Sequence, residues 1–298
     1  MHDGKIDLTG KVAIVTGAGV GLGKAHALAL AARGATLCVN DLGEEAENVA
    51  EAIRAAGGQA MSAIGSVTDI GFVEQMADDV RRHHGGVDIL VNNAGILRDK
   101  SFANMSLEDF RLVMEVHVMG SVHCTRAVWN SMRERGYGRI VLTTSSSGLW
   151  GNFGQSNYGA AKMALVGFMQ SLGIEGAKYD IRVNCLAPTA ATRMMEDILP
   201  EDQLAELRCE QVSSAVLALV AENAPNRAIL CAGAGSFELA LIGMTQGIHI
   251  ADVSDAAEDI LERWPELADQ VSAILPSQGF EQSRHELAKG GFAFEPST

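Results

Sequence analysis

Two hydrophobic rhythms alternate along the chain. Short β-branched runs, KVAIVTG (11–17), ATLCVND (35–41), QAMSAIGSV (59–67), VDILVNNAG (87–95), GRIVLTTSS (138–146), IRVNCLAP (181–188) and AILCAGAG (228–235), predict seven strands. Segments of helical period separate them, at 21–34, 44–56, 69–84, 106–135, in the run after NYGAAK, and at 209–222. Such alternation predicts an α/β fold with an open, parallel, doubly wound sheet. No Pro/Gly/Ser-rich linker interrupts it, so residues 1–235 read as one domain and 236–298 as a C-terminal extension of unassigned role. In that extension SDAAEDILERWPEL predicts a helix that Pro265 kinks or starts late.

Composition narrows the class. With 298 residues, 47% hydrophobic and 20% charged, the chain has the material for a real core and none of the signature of disorder. A formal net charge of −14 disfavours nucleic acid and anionic membrane as partners, although backbone amides can still hold a phosphate locally. The start MHDGKIDLTGK is charged where a signal peptide would be apolar, and the end FEPST carries no address signal. No apolar run approaches the ~18 residues of a membrane span, so a cytoplasmic protein is expected. Five cysteines without a CxxC pair, three of them (Cys38, Cys185, Cys231) in strand-like runs, read as free thiols rather than disulfides or metal ligands.

The candidate chemistry sits at strand ends. TGAGVGLG (16–23) joins the first strand to the first helix, where Gly17, Gly21 and Gly23, with Leu22 between them, allow a dinucleotide pyrophosphate to approach the backbone and the helix N-terminus. Asp41 ends the second strand, where a carboxylate can accept the adenosine ribose hydroxyls and repel a 2′-phosphate. Val20 and Leu42 offer no cation to welcome that phosphate, so NAD is the expected cofactor. Further along, Tyr158 and Lys162 are spaced i,i+4 and share a helix face, while Ser145 ends a strand upstream. Moving hydride from an alcohol requires a proton acceptor on its oxygen. A free phenol with a pKa of about 10 is a poor one at neutral pH. One lysine charge at about 4 Å and a dielectric of about 20 supplies about 4 kcal/mol, enough to bring the phenol near 7. These residues are expected to carry the acid/base step, with Ser145 holding the substrate oxygen.

TGAGVGLG, NNAG (92–95), Ser145 and YGAAK in this order resemble the short-chain dehydrogenase/reductase family over residues 6–235. The resemblance implies a Rossmann-like fold, a homodimer or homotetramer, and a small-molecule alcohol or ketone as substrate. It also implies that Asn93, Ala94 and Gly95 line the cofactor channel, that Ser66 and Val67 lie near the adenine, and that Lys162 grips the nicotinamide ribose. Pro188 and Thr192 stand at the carboxamide position, in PTAAT where the family has PGxxxT. His117 in EVHVMG occupies a position where the wider family usually has asparagine, making it either a member of the catalytic relay or a satisfied interior histidine. A narrower resemblance, in VNDLG, NNAGILRDKSFANMS, GLWGNFGQSNYGAAK and AATRMMEDILP, is to the dehydrogenase unit of peroxisomal multifunctional enzyme type 2. That unit oxidises (3R)-hydroxyacyl-CoA to 3-ketoacyl-CoA with NAD. A hydroxysteroid, a polyol or an acyl-carrier-protein thioester remains an alternative substrate. An NAD sensor without turnover is the alternative of another class.

Overall fold

The computed structural model describes residues 5–190, 206–252 and 254–293. Among them, eight strands form one sheet: β1 (Val12–Thr16), β2 (Thr36–Asp41), β3 (Ala60–Ile64), β4 (Ile89–Asn92), β5 (Gly138–Thr143), β6 (Ile181–Thr189), β7 (Ile229–Gly233) and β8 (Ser236–Ala240). Their order is β3-β2-β1-β4-β5-β6-β7-β8, and every ladder from β3 to β7 is parallel. β1, β4 and β5 are buried along their whole length, which is why they read as continuous apolar runs rather than alternating ones.

The helices cover both faces. α1 (Gly21–Ala31), α2 (Glu45–Ala55) and a later helix, Cys209–Val220, join Ala13, Val15, Leu37, Val39 and Ile89 in one core. On the opposite face lie α3 (Ile70–His84), α4 (Leu107–Met114), α5 (Gly120–Arg135), α6 (Ser146–Trp150) and α7 (Ser156–Gly176); Cys209–Val220 is α8. α3 begins where Asp69 accepts the Phe72 N–H and ends at Gly85 in the left-handed region. The helical period at 106–135 resolves into α4 and α5 joined by a π-turn, Glu115–Met119. There the Ser121 hydroxyl donates to the His117 carbonyl at 2.7 Å. Gly120 lets Val67 approach so closely that a Cβ would lie 2.5 Å from its Cγ2.

The expected seven strands become eight. The run 228–235 contains a turn, because Ala234 (φ 47°) and Gly235 (φ 75°) are both left-handed and reverse the chain after two residues. β8 then returns beside β7. Its side chains are mostly exposed, so it carries no buried apolar run for a pattern to reveal.

The residues divide into two compact units between Leu239 and Ala240. The second contains α9 (Ala256–Glu262), α10 (Trp264–Leu267) and α11 (Phe280–Lys289), with Met244 and Ile274 exchanging backbone hydrogen bonds of 2.9 and 2.8 Å. Pro265 stands in the first turn of α10, where its missing N–H costs nothing. No helix of the described residues is long and apolar enough to cross a membrane.

One core group makes stability depend on pH. His26 on α1 is fully buried, with Nδ1 2.8 Å from Ser213 Oγ on α8 and Nε2 without a partner. Burial lowers its pKa from 6.5 to about 4. The unfolded chain therefore binds a proton that the folded one refuses. His26 has no such cost above pH 6.5, and stability falls as pH drops from 6.5 towards 4. Between pH 7.5 and 5 this residue should remove about 2 kcal/mol. His26→Leu, which leaves Ser213 its bond to the Cys209 carbonyl, should flatten urea-unfolding stability over that range by about one proton. Parallel pH slopes for variant and wild type would refute this.

Candidate active site

The sheet order reverses between β1 and β4, and at the carboxyl ends of these strands the glycine turn and the NNAG segment meet. Asn93 Nδ2 donates to the Thr16 and Gly17 carbonyls at 3.1 and 2.9 Å. The N–H groups of Asn93 and Ala94 donate to Thr16 Oγ1 at 3.0 and 3.1 Å. Two segments distant in sequence are thus stitched together, each by a side chain bonded to the backbone of the other. A Cβ on Gly17 would lie 2.8 Å from Ala94 Cα, and one on Gly23 would lie 2.1 Å from the Gly17 oxygen. Leu22 and Gly21 open α1, whose N-terminus has no side-chain cap, so its amides are available to an anion. Asp41 Oδ2 accepts the Gly19 N–H at 2.7 Å, which sets the carboxylate against the turn, and Oδ1 accepts that of Leu42. The exposed neighbours Val20 and Leu42 are apolar. This cradle fits a dinucleotide.

The outer contacts are placed less simply. Ser66 Oγ is engaged with Thr68, and Val67 is buried against Gly120, its carbonyl bonded to His123 Nδ1 at 3.0 Å. Pro188 lies in β6 opposite Ala232. Thr192 lies outside the described residues.

Ser145 follows β5 and caps α6, accepting the Ser147 N–H at 3.2 Å. α6 lies directly on α7 because Gly148 has no side chain; a Cβ there would be 2.7 Å from Lys162 Cβ. The packing brings the Ser145 hydroxyl close enough to the Tyr158 phenol to favour its ionised form. Lys162 is buried, donates to the Thr143 carbonyl at 2.5 Å, and places Nζ 5.4 Å from the Tyr158 ring centre. The Thr144 hydroxyl donates to the Lys162 carbonyl at 2.7 Å, locking the helix to the strand end. Ser145, Tyr158, Lys162 and His117 converge, His117 meeting the Tyr158 ring edge-on at 5.3 Å.

His117 is tied to one peptide. Its Nε2 is 3.0 Å from the Ile96 nitrogen and 2.8 Å from the Ile96 oxygen, and a neutral imidazole nitrogen serves only one of them. Burial and the nearby Lys162 charge pull its pKa to about 3, so it is neutral at pH 7, and Nδ1 has no partner. Gly95 makes room for the ring, since a Cβ there would be 2.3 Å from it.

The electrostatics differ from the sequence expectation in one respect. Burial raises the Tyr158 phenol above its usual value, with the Ser145 hydrogen bond opposing and the Asp99 charge adding to the rise. Lys162 is itself desolvated, which lowers its pKa to about 7. A lysine whose charge is disfavoured by burial is a weaker counter-charge than the i,i+4 spacing promises.

Some participants carried no signal in the sequence. Asn157 is buried, donating to the Arg98 carbonyl at 3.0 Å and accepting the Tyr158 N–H at 2.7 Å. Gly148, Thr143 and Thr144 act through packing or backbone contacts, and only the residue types next to Ser145 and Tyr158 hinted at them.

The family model for short chain dehydrogenase matches residues 11–203. The chain belongs to the short-chain dehydrogenases. It is 43% identical over 258 residues to peroxisomal multifunctional enzyme type 2 of Drosophila melanogaster, covering 83% of this chain and 42% of that enzyme. The full-length structure of that fly enzyme superposes with a TM-score of 0.82 at 34% identity, over 96% of this chain and 50% of the other. A 7α-hydroxysteroid dehydrogenase complexed with NADH and 7-oxo glycochenodeoxycholic acid superposes at 0.72 and 30% identity, over 77% and 95%. The chain is thus an oxidoreductase with a nicotinamide cofactor. It spans less than half the length of the Drosophila relative it matches in sequence.

Proposed function

We propose that this short-chain dehydrogenase oxidises (3R)-hydroxyacyl-CoA thioesters to 3-ketoacyl-CoA with NAD in the cytoplasm, as a homodimer or homotetramer. The observation that carries the reaction type is the meeting of the Ser145 and Tyr158 side chains beside buried Lys162 at the carboxyl edge of the sheet. When bound, the nicotinamide supplies the hydride acceptor. Gly17, Gly21, Leu22 and Gly23 would hold its pyrophosphate, Asp41 its adenosine ribose, and Asn93, Ala94 and Gly95 the channel wall. Tyr158 takes the carbinol proton as the carbon–hydrogen bond breaks, and Ser145 donates a hydrogen bond to the same oxygen. Ketone reduction runs the proton transfer backwards.

Asp41 supports NAD over NADP, because a second negative group beside its carboxylate would meet repulsion and no cation at Val20 or Leu42. The thioester reading rests on the shared motifs and on the similarity to the multifunctional enzyme. Self-association is supported by α7, where exposed Met163 and Ile174 lie three turns apart on one face, with Leu107 and Leu112 exposed on α4.

The test is NADH formation from medium-chain (3R)- and (3S)-hydroxyacyl-CoA, an acyl-carrier-protein thioester, a hydroxysteroid, a polyol and a simple secondary alcohol, each with NAD or NADP. Turnover confined to the 3R CoA thioester with NAD is the expected result. Activity only on a steroid or another alcohol would overturn the substrate while leaving the site intact. NAD binding without turnover of any would favour a sensor.

A further inference from the structure

The segments LRDK (97–100) and GNFGQSNY (151–158) are cross-linked above the hydroxyl pair. The Lys100 N–H donates to the Gly154 carbonyl at 2.9 Å, and Asn157 reaches the Arg98 carbonyl at 3.0 Å. Between these two bonds the side chains form a continuous chain. Gln155 Nε2 donates to Asp99 Oδ2 at 2.6 Å, and Gln155 Oε1 accepts the Ser147 hydroxyl at 2.7 Å. Asn152 Nδ2 donates to Ser147 Oγ at 3.2 Å, the Ser147 N–H is on Ser145 Oγ, and the Ser145 hydroxyl acts on the neighbouring Tyr158 phenol.

The direction of this chain follows from its first member. An ionised carboxylate only accepts, so the Gln155 amide must turn its NH2 to Asp99 and its oxygen to Ser147. Ser147 must then donate its one hydroxyl proton to Gln155 and accept from Asn152. These bonds hold Ser147 in place at the start of α6, where its backbone N–H occupies a lone pair of the Ser145 oxygen and leaves the Ser145 hydroxyl proton to face Tyr158 and the reacting oxygen.

We propose that Asp99 and Gln155 are positioning residues for Ser145, orienting its hydroxyl through Ser147. This inference rests on the acid/base reading of Ser145 and Tyr158. The charged groups nearby are Arg98 and Lys100, which turn to Asp109 at 3.9 and 3.1 Å, and Lys162, which faces Tyr158 with neutral His117. Asp99 is the carboxylate that turns to Gln155, and its charge also holds the phenol proton more tightly.

The test is Asp99→Asn, whose amide accepts either orientation of Gln155, together with Gln155→Met, which keeps the volume and breaks the chain. Each is assayed with medium-chain (3R)-hydroxyacyl-CoA, or with the alcohol that the substrate panel identifies. The pH-independent kcat should fall about tenfold, the worth of one lost orienting hydrogen bond, with NAD affinity and Tm unchanged. In Asp99→Asn the rising limb of the pH–rate profile, and the substrate-free phenolate absorbance absent from Tyr158→Phe, should both move to lower pH. Asp99→Glu, which restores an obligate acceptor, should recover most of the loss. Wild-type kcat in both variants with an unmoved phenolate titration would overturn the proposal. If those variants behave as wild type while Tyr158→Phe is inactive, only this inference fails; if Tyr158→Phe keeps its turnover, the acid/base reading falls first.

Discussion

Replacing Tyr158 by phenylalanine is expected to lower kcat/KM for alcohol oxidation by about 10³-fold, the usual worth of a positioned acid/base group. The substitution removes one oxygen and keeps the ring that meets His117 edge-on, so the helix start and its contacts with α6 should survive. Only the proposed acceptor of the carbinol proton is lost. Ser145 remains, but a serine hydroxyl with no base beside it is a hydrogen-bond donor, not a proton sink. NAD affinity, measured by quenching of protein fluorescence, should change less than about twofold, because a phenol hydroxyl pointing at substrate contributes little to a dinucleotide held elsewhere. A loss smaller than tenfold in kcat/KM would mean that another group carries the proton. Since burial holds the phenol high, wild-type oxidation should rise steadily towards alkaline pH, and this rise should vanish in the variant.

Gly23→Ala should be the most damaging change outside the chemistry. Its Cβ would lie 2.1 Å from the Gly17 carbonyl oxygen and 2.6 Å from Asn93 Nδ2, which itself holds the Thr16 and Gly17 carbonyls. The first obstacle is backbone of the turn itself, and the second, a side-chain amide of the NNAG segment, is pinned by its two bonds to that turn. Relief requires moving the backbone, at about 3 kcal/mol or more. The expected result is a weakening of NAD binding by at least about 100-fold, read by calorimetry, with a fall in Tm. Gly21→Ala gives the contrast. Nothing lies within 4 Å of a Cβ there, so its φ of 54° alone should cost about 1 kcal/mol. Equal effects at both positions would show that conformational freedom, not close approach, explains the turn.

The inner strands β1, β4 and β5 were legible because a sheet covered on both faces demands unbroken apolar runs, as in VAIVT and ILVN. β8 was hidden for the opposite reason: SFELA is mostly exposed at the edge, and the reversal before it depends on two left-handed residues, one of them alanine. The break between α4 and α5 was equally silent. A π-turn leaves helical segments on both sides and only widens one turn between them, and what accompanies it is a contact between Gly120 and Val67.

The same division runs through the site. Sequence by itself determined what local geometry settles: the glycine turn between a strand and a helix, Asp41 at the end of β2, and Tyr158 and Lys162 on one helix face. Tertiary structure alone decided which distant groups meet and how much water they keep. Gly148 lets α6 lie on α7 so that Ser145 reaches Tyr158, and Asp99 finds Gln155 across 56 residues of chain. The charge states followed from the same packing, for Lys162 moves to about 7 and His117 to about 3 because both are buried. Spacing along a helix is a property of neighbouring residues. Desolvation depends on everything packed around a group, and so it exists only in the folded molecule.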